Sequence, residues 1–172
     1  IRHGATAWSR SGHHTGRTDV PLLAEGERDA AGLVSRLSGL EFSLVLSSPL
    51  QRARRTAELA GFGSVVQLDA DLAEWGYGNY EGKTADEIRA HHPGWELFDD
   101  GCPEGESLAD VVLRAERVIA RIRDAQGNVA LFAHGHLLRV LASRWIDSPG
   151  HLARRLALGT TAVSILGFGH SR

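Results

Sequence analysis

Five residues that could bind and transfer phosphate stand beside predicted strands: Arg2, His3, Arg52, Glu74 and His134. Two guanidinium groups can hold phosphate oxygens through paired, charge-assisted hydrogen bonds. A neutral imidazole beside them can attack phosphorus in line and carry the phosphoryl group as an intermediate. A nearby carboxyl group can protonate the departing oxygen and later take a proton from water. These residue types suit a phosphate dianion better than a hydrophobic core.

The sequence around these residues favours the same ligand. Arg52 falls in the first turn of a predicted helix, whose N-terminus adds backbone donors and a favourable dipole. Gly4 and Gly135 permit a close approach of the backbone to a ligand. A nucleophilic imidazole also needs an acceptor on its other ring nitrogen, which fixes the tautomer. A carboxyl group that acts as an acid near neutral pH needs a raised pKa. Burial and the phosphate dianion raise the pKa of such a group, whereas the nearby arginines lower it.

Strand and helix patterns alternate along the chain. Besides a strand presumed to lead into Arg2, the predicted strands are Leu44–Ser47, Val65–Leu68, Val129–Ala133 and Ala162–Phe168. This alternation predicts an α/β fold with a largely parallel central sheet. Because such sheets bind ligands at the carboxyl ends of their strands, the candidate residues should meet there.

Capping signals and apolar periodicity predict the helices. The first predicted helix follows Glu25, and its apolar face carries Ala30, Leu33, Val34 and Leu37. The second runs from Ser48-Pro49 to about Leu59, and a short third one runs from the Thr84–Glu87 capping box to near Pro93. The longest helix is capped by Ser107, and a last, mostly apolar helix covers Leu137–Ile146.

Length and composition exclude several classes of protein. The length of 172 residues predicts a single domain, 1–172. The composition, with 42% hydrophobic and 23% charged residues, is ordinary for a globular protein. A net charge of −2 excludes a strongly basic nucleic-acid binder. No apolar run approaches the ~20 residues of a membrane helix. The single cysteine, Cys102, excludes an internal disulfide framework and indicates a reducing, cytoplasmic location. The chain opens on Ile1 and contains no Met, so we predict an incomplete leading strand.

Four ordered motifs resemble the histidine phosphatase superfamily, the relatives of cofactor-dependent phosphoglycerate mutase. The resemblance runs from Arg2 to about Trp145. The motifs are Arg2-His3-Gly4-Ala5-Thr6 with Thr15-Gly16-Arg17-Thr18-Asp19, Ser48-Pro49 with Arg52, Leu72-Ala73-Glu74 with Glu81-Gly82, and Phe132-Ala133-His134-Gly135-His136 with Arg139.

The resemblance implies a role for each candidate residue. His3 is the expected phosphorylated nucleophile, Glu74 the proton donor and acceptor, and Arg2, Arg52 and His134 the phosphate pocket. It also implies a three-layer α/β/α sandwich, a small phosphorylated substrate, and no metal or other cofactor.

Finer features look like the fungal sedoheptulose-bisphosphatases and related bacterial acid phosphatases. Ser9 stands where mutases usually have Asn, six residues after the nucleophile, and the long insert of mutases has no room between Glu74 and the Ser107 helix. Both departures favour hydrolysis of phosphomonoesters, with sugar phosphates as expected substrates. Substrate contacts are expected at Ser9, Thr15, Gly16 and Gly135.

Three other functions stay open at this stage. The first is a mutase that returns the phosphoryl group to its substrate. The second is a phosphate-binding module without catalysis, although that class should have lost at least one of the expected site residues. The third is a metal site at His134-Gly135-His136, which is disfavoured because two such histidines point apart and no carboxylate is spaced to complete the set.

Other residues have plainer interpretations. His13 and His14 form an exposed loop pair or part of the pocket rim, and His136 could support a neighbour or bind ligand. Cys102 is expected to be packed rather than reactive. Expected surface residues are Arg54, Arg55, His91, His92, His151 and His170.

Overall fold

Three parallel strands in the order β2–β1–β3 form the centre of the fold in the computed structural model, which describes residues 1–168. The strands are β1 (Phe42–Ser47), β2 (Gln67–Leu68) and β3 (Asn128–Phe132). Leu46 pairs with Gln67 on one side and Leu131 on the other. Arg2 continues the sheet beyond β3 through an isolated parallel bridge to Ala133. The prediction of a largely parallel sheet is confirmed.

Helices and short turns connect and cover these strands. The α-helices are α1 (Ala7–Ser11), α2 (Ala24–Leu37), α3 (Gln51–Ala57), α4 (Ala85–His91), α5 (Leu97–Asp100), α6 (Leu108–Asp124) and α7 (Gly135–Trp145). A π-helical turn, Glu58–Phe62, continues α3, and single 3₁₀ turns cover Ala70–Leu72, Gly78–Tyr80 and Gly150–Arg155.

Alternate side chains of the strands divide the core into two clusters. Val45 and Phe132 pack on one face of the sheet with apolar residues of α2 and α3. Leu46 and Ala133 pack on the other face with apolar residues of α6 and α7. Helices therefore cover both faces of the sheet, and the predicted three-layer α/β/α sandwich is confirmed.

The capping signals at two helices are confirmed. Thr84 forms a capping box with Glu87 at the start of α4, and Ser107 forms one with Asp110 at the start of α6. One predicted core position of α2 is wrong, because Val34 is 51% exposed. The buried stripe of α2 follows Ala30, Leu33 and Leu37, and Val34 lies one step around the helix from it.

The predicted start of α3 is also wrong. This helix begins at Gln51, two residues after Pro49, and Ser48 is not its N-cap. Instead, the Asp19 carboxylate accepts a hydrogen bond from the Gln51 backbone N–H at 2.8 Å. Ser48 is fully buried, and its hydroxyl group is engaged with His134 at 2.7 Å.

Two of the predicted strands differ from the structure. The Val65–Leu68 strand is shorter than predicted, because only Gln67 and Leu68 pair with β1. The predicted strand Ala162–Phe168 is wrong, since this segment has no ladder with another strand in the described chain. Its first residue joins the sheet region, where Ala162 O accepts from Arg2 N at 3.1 Å. Residues of the segment and of β3 line an apolar cavity of about 670 Å³.

No helix within residues 1–168 is long and apolar enough to cross a membrane.

Candidate active site

His3 is buried at the end of the sheet, with an exposed fraction of 4%. Its Nδ1 lies 2.7 Å from the carbonyl oxygen of Gly4. Because a carbonyl oxygen only accepts, Nδ1 carries the hydrogen and Nε2 keeps its lone pair. Burial, with the charge of Arg52, lowers the pKa of His3 to about 3. The imidazole is therefore neutral at physiological pH and has a nitrogen free for nucleophilic attack.

His134 lies beside His3, with their ring centroids 5.2 Å apart. The Nε–H of Arg52 donates to Nδ1 of His134 at 3.2 Å. Nε2 of His134 must then carry the hydrogen, and it donates to the Ser48 hydroxyl at 2.7 Å. Burial and the positive charge of Arg52 hold the pKa of His134 well below its ordinary value. His134 therefore contributes hydrogen bonds rather than positive charge to this site.

The Arg52 side chain is fully buried and is held by the loop that precedes α2. Besides its contact with His134, its guanidinium donates to the carbonyl oxygens of Thr15, Gly16 and Thr18, each at 2.9 Å. The Glu81 carboxylate holds the same loop, since it accepts from the backbone N–H groups of Gly16 and Thr18. These contacts fix a positive charge beside His3 in a low-dielectric environment.

Arg2 supplies a second guanidinium whose charge acts on His3. Its Nη1 donates to the carbonyl oxygen of Leu158 at 2.5 Å. Its Nε is buried and has no hydrogen-bond partner within residues 1–168. A Cβ at Gly135 would lie 3.4 Å from the Arg2 guanidinium carbon, so the absence of a side chain there leaves room beside it. An unsatisfied buried N–H group is costly, and a bound anion would satisfy it.

Glu74 is 5% exposed and lies at the N-terminus of α7. Its Oε1 accepts from the backbone N–H groups of Trp75 and Leu137, at 3.0 and 2.9 Å, and its Oε2 accepts from that of His136 at 3.0 Å. Burial raises the pKa of Glu74, but the His136 imidazole and these three donors lower it by more. The carboxyl group is therefore ionised in the free protein, which suits a general base.

The structure brings all five predicted catalytic residues together at the carboxyl ends of the strands, as the topology predicted. Residues that were predicted to contact the substrate have structural roles in the folded chain. The Ser9 hydroxyl belongs to the capping box of α1, where it accepts from Thr6 N at 2.9 Å. The carbonyl groups of Thr15 and Gly16 hold Arg52. Substrate contact by these residues and by Gly135 stays a prediction.

Sequence reasoning missed a partly buried ion pair that supports the Glu74 segment. Arg114 binds both carboxylate oxygens of Glu106, at 2.8 and 2.9 Å, and donates to the carbonyl oxygens of Asp71 and Ala73. Glu106 in turn accepts from the backbone N–H of Gly76 at 2.7 Å. The sequence did carry one signal for this ion pair, because an arginine stands on the apolar stripe of α6, between Val111 and Val118.

Several plainer interpretations are confirmed. Arg54 and Arg55 lie on a solvated face, where they pair with Glu58 and Glu27. Cys102 is half-buried against the core, and burial raises the pKa of its thiol to about 12. The three predicted surface histidines that the structure describes are exposed: His91, His92 and His151. His170 lies outside the described residues.

The described residues contain no group of three or more His, Cys, Asp and Glu side chains placed to hold a metal ion.

Comparison with known proteins identifies the family of this chain. The family model of the histidine phosphatase superfamily (branch 1) matches residues 1–172. An acid phosphatase of Mycobacterium tuberculosis is 41% identical over 99% of this chain and 85% of its own length. Sedoheptulose 1,7-bisphosphatase of Saccharomyces cerevisiae is 34% identical over 84% of this chain, but the match spans only 65% of the yeast protein.

One relative is named as a mutase rather than a phosphatase. A probable phosphoglycerate mutase of Shigella boydii is 32% identical over 99% of this chain and 84% of its own length. The resemblance to both bacterial acid phosphatases and a fungal sedoheptulose-bisphosphatase is thus confirmed, within a family that also includes mutase-named proteins. The chain therefore belongs to the histidine phosphatase superfamily (branch 1), and it is an enzyme of that family.

Proposed function

We propose that this enzyme hydrolyses phosphomonoesters of small metabolites, sugar phosphates among them, through a phosphohistidine on His3. The observation that carries this proposal is the fixed tautomer of His3, whose Nδ1–H is bound to a backbone carbonyl oxygen while Nε2 keeps its lone pair. The two arginines beside it supply the positive charge that a transferring phosphoryl group requires. A cytoplasmic location and independence from metals and cofactors remain predictions.

The reaction proceeds in two steps. In the first, a bond forms between Nε2 of His3 and phosphorus while the bond from phosphorus to the ester oxygen breaks, and the protonated form of Glu74 gives its proton to that oxygen. In the second, water attacks phosphorus, Glu74 takes a proton from the water, and the bond from phosphorus to nitrogen breaks. Inorganic phosphate leaves, and the Glu74 carboxyl group returns to its equilibrium between the protonated and ionised forms.

Release of inorganic phosphate separates hydrolysis from the mutase alternative. Ser9 at the position of the mutase Asn, together with the absence of a long insert between Glu74 and α6, favours access of water to phospho-His3. We expect phosphate to accumulate from a sugar phosphate or an aryl phosphate without an added bisphosphate. Isomerisation of a phosphoglycerate, primed by a bisphosphate and without phosphate release, would instead support the mutase that one relative's name suggests.

Arg52→Ala should lower kcat/KM by about 10²–10³-fold, because the transferring group loses a preorganised positive charge worth roughly 3–4 kcal/mol. Steady-state hydrolysis of an aryl phosphate measures this loss. Urea unfolding of the same variant measures how much stability is lost with the contacts of Arg52 to the Thr15–Thr18 loop.

Arg55→Ala is the matched control on the same helix. Arg55 is half-exposed and pairs with Glu27 and Glu58, so its removal should leave hydrolysis nearly unchanged. A large loss for Arg55→Ala with none for Arg52→Ala would show that the opposite face of α3 serves the site.

A further inference from the structure

Two half-buried imidazoles border Glu74 and take no part in the two steps described above. Nδ1 of His136 lies 4.0 Å from Oε2 of Glu74, and 25% of the His136 side chain is exposed. The His14 ring lies parallel to that of His136, with centroids 6.1 Å apart and an interplanar angle of 8°. Because the proposed acid must touch the departing oxygen, both rings lie on the leaving-group side of the site.

The tautomer of His14 is fixed by the backbone. Its Nδ1 lies 2.7 Å from the carbonyl oxygen of Lys83, which can only accept. Nδ1 therefore carries the hydrogen, and Nε2 is left as an acceptor. The backbone N–H of His14 also donates to Lys83 O, and the carbonyl of His14 accepts from Gly82 N, so this residue is held at three points.

The tautomer of His136 is fixed in the opposite sense by Tyr77. The Tyr77 hydroxyl lies 2.5 Å from Nδ1 of His136, and Tyr77 is 1% exposed. A buried hydroxyl that donates to no acceptor is costly, so it donates to Nδ1. Burial raises the pKa of Tyr77 well above its ordinary value, and this keeps the hydroxyl protonated. Nε2 of His136 therefore carries the hydrogen and remains a donor.

Packed aromatic rings hold the pair in place. The His14 ring contacts Tyr77 and Trp95 edge-on, with centroids 4.8 and 5.5 Å away. The His136 ring contacts Phe98 at 5.6 Å. Burial lowers the pKa of both imidazoles, that of His136 to about 4, so neither ring is charged at neutral pH. The pair thus presents one neutral acceptor and one neutral donor beside Glu74.

We propose that His14 and His136 form a hydroxyl-binding subsite for the leaving group. A substrate hydroxyl near the ester oxygen accepts from Nε2–H of His136, and the same or a neighbouring hydroxyl donates to Nε2 of His14. The favoured substrates are therefore phosphate monoesters of polyols, including sugars, rather than esters of plain alcohols. This inference rests on the proposed phosphatase function and assigns its leaving-group specificity.

Matched three-carbon substrates test the subsite. Glycerol 1-phosphate carries hydroxyl groups beside the ester, and propyl phosphate has the same chain without them. Two neutral hydrogen bonds predict a kcat/KM about 10–30-fold higher for glycerol 1-phosphate than for propyl phosphate. His136→Phe and His14→Phe keep a ring but lose the polar nitrogens, and each should reduce this ratio by at least about threefold.

Two further variants keep the test independent of folding losses. Tyr77→Phe removes only the hydroxyl that fixes the His136 tautomer, so it should lower the ratio by less than His136→Phe does. His13→Phe changes the neighbouring loop histidine, which contacts the Ser11 hydroxyl, and should leave the ratio unchanged.

The outcomes separate this inference from the proposed function. Equal rates for the two three-carbon esters, or a ratio that no variant at His14 or His136 alters, would overturn the subsite while phosphate release upheld the phosphatase. Release of phosphate from neither ester nor from an aryl phosphate would overturn both.

Discussion

His3→Ala should abolish turnover of every phosphomonoester, because no other group can take the phosphoryl group from the substrate. His3 presents a neutral Nε2 lone pair, whereas the neighbouring imidazole of His134 uses both ring nitrogens in hydrogen bonds. Brief reaction of the wild-type protein with labelled substrate should leave label on the protein. That label should be lost in acid and retained in base, as expected for a phosphoramidate.

The Ala variant should keep its fold. Within residues 1–168 the His3 side chain makes one hydrogen bond, to its neighbour Gly4, and its removal leaves the backbone pairing of His3 N with Ala133 O intact. A urea midpoint close to that of the wild type is the expected result, and His92→Ala, at an exposed histidine, is the control for loss of an imidazole. Full activity or retained label in His3→Ala would refute the phosphohistidine mechanism.

The low pKa of His3 also predicts the pH dependence of this step. A histidine whose pKa is lowered to about 3 stays unprotonated above that pH, so the nucleophile is available throughout the acidic range. Any loss of activity between pH 4 and 7 must then come from the substrate or from another group. Trapping of label on His3 at pH 5, in a single turnover with an aryl phosphate, measures this directly. A fall in trapping that follows a pKa near 6.5 would contradict the burial of His3.

The sequence predicted that the site residues lie close together, because their proximity follows from the topology of the sheet. Parallel strands end at one edge of a sheet, so residues that follow Ile1, Ser47 and Phe132 must converge whatever the details of the loops. Prediction failed at the start of α3, where distant residues supply the partners. The Ser48 hydroxyl accepts from His134 and from the backbone N–H of Leu50, just before the helix, and Asp19 caps α3 itself from another loop.

Long-range partners account for the other differences. Arg114 sits on an apolar helix stripe, and only the folded chain brings Glu106 and the carbonyl groups of the Glu74 segment around it. Ala162–Phe168 has the apolar pattern of a strand, but this segment forms no strand within the described residues, and part of it lines an apolar cavity beside β3. Two of the three hydrogen-bond donors that keep Glu74 ionised come from the first turn of α7, more than sixty residues away.

Glu74→Gln should separate substrates by the basicity of their leaving groups. An alkoxide that leaves from a sugar phosphate needs a proton as its bond to phosphorus breaks, whereas an activated aryl oxide needs little help. Gln keeps the shape of the side chain but cannot give or take the proton. Phosphorylation of His3 by a sugar phosphate should slow by about 10²–10⁴-fold, and phosphorylation by an aryl phosphate by much less.

Phosphoryl transfer to His3 in a single turnover measures the first step. The time course of aryl product release over many turnovers measures the second. Because Glu74 is also the proposed base for water, the variant should release a burst of aryl product and then turn over slowly. Glu104→Gln is the control for loss of a carboxylate, because Glu104 is exposed and lies outside the proton path. Equal losses for the two substrates would show that Glu74 orients the site and that the acid is another group.

The pH dependence of the same comparison tests how Glu74 acquires its proton. In the free protein the pKa of Glu74 lies below its ordinary value, so the carboxyl group is protonated in only a small fraction of molecules at pH 7. That fraction rises about tenfold for each unit of decreasing pH until the pKa is reached. The ratio of sugar phosphate to aryl phosphate kcat/KM cancels the similar ionisation of the two phosphate groups. It should therefore rise as the pH falls in the wild type and stay flat in Glu74→Gln. A flat wild-type ratio would mean that the bound phosphate dianion raises the pKa of Glu74 enough for the proton to be taken up with the substrate.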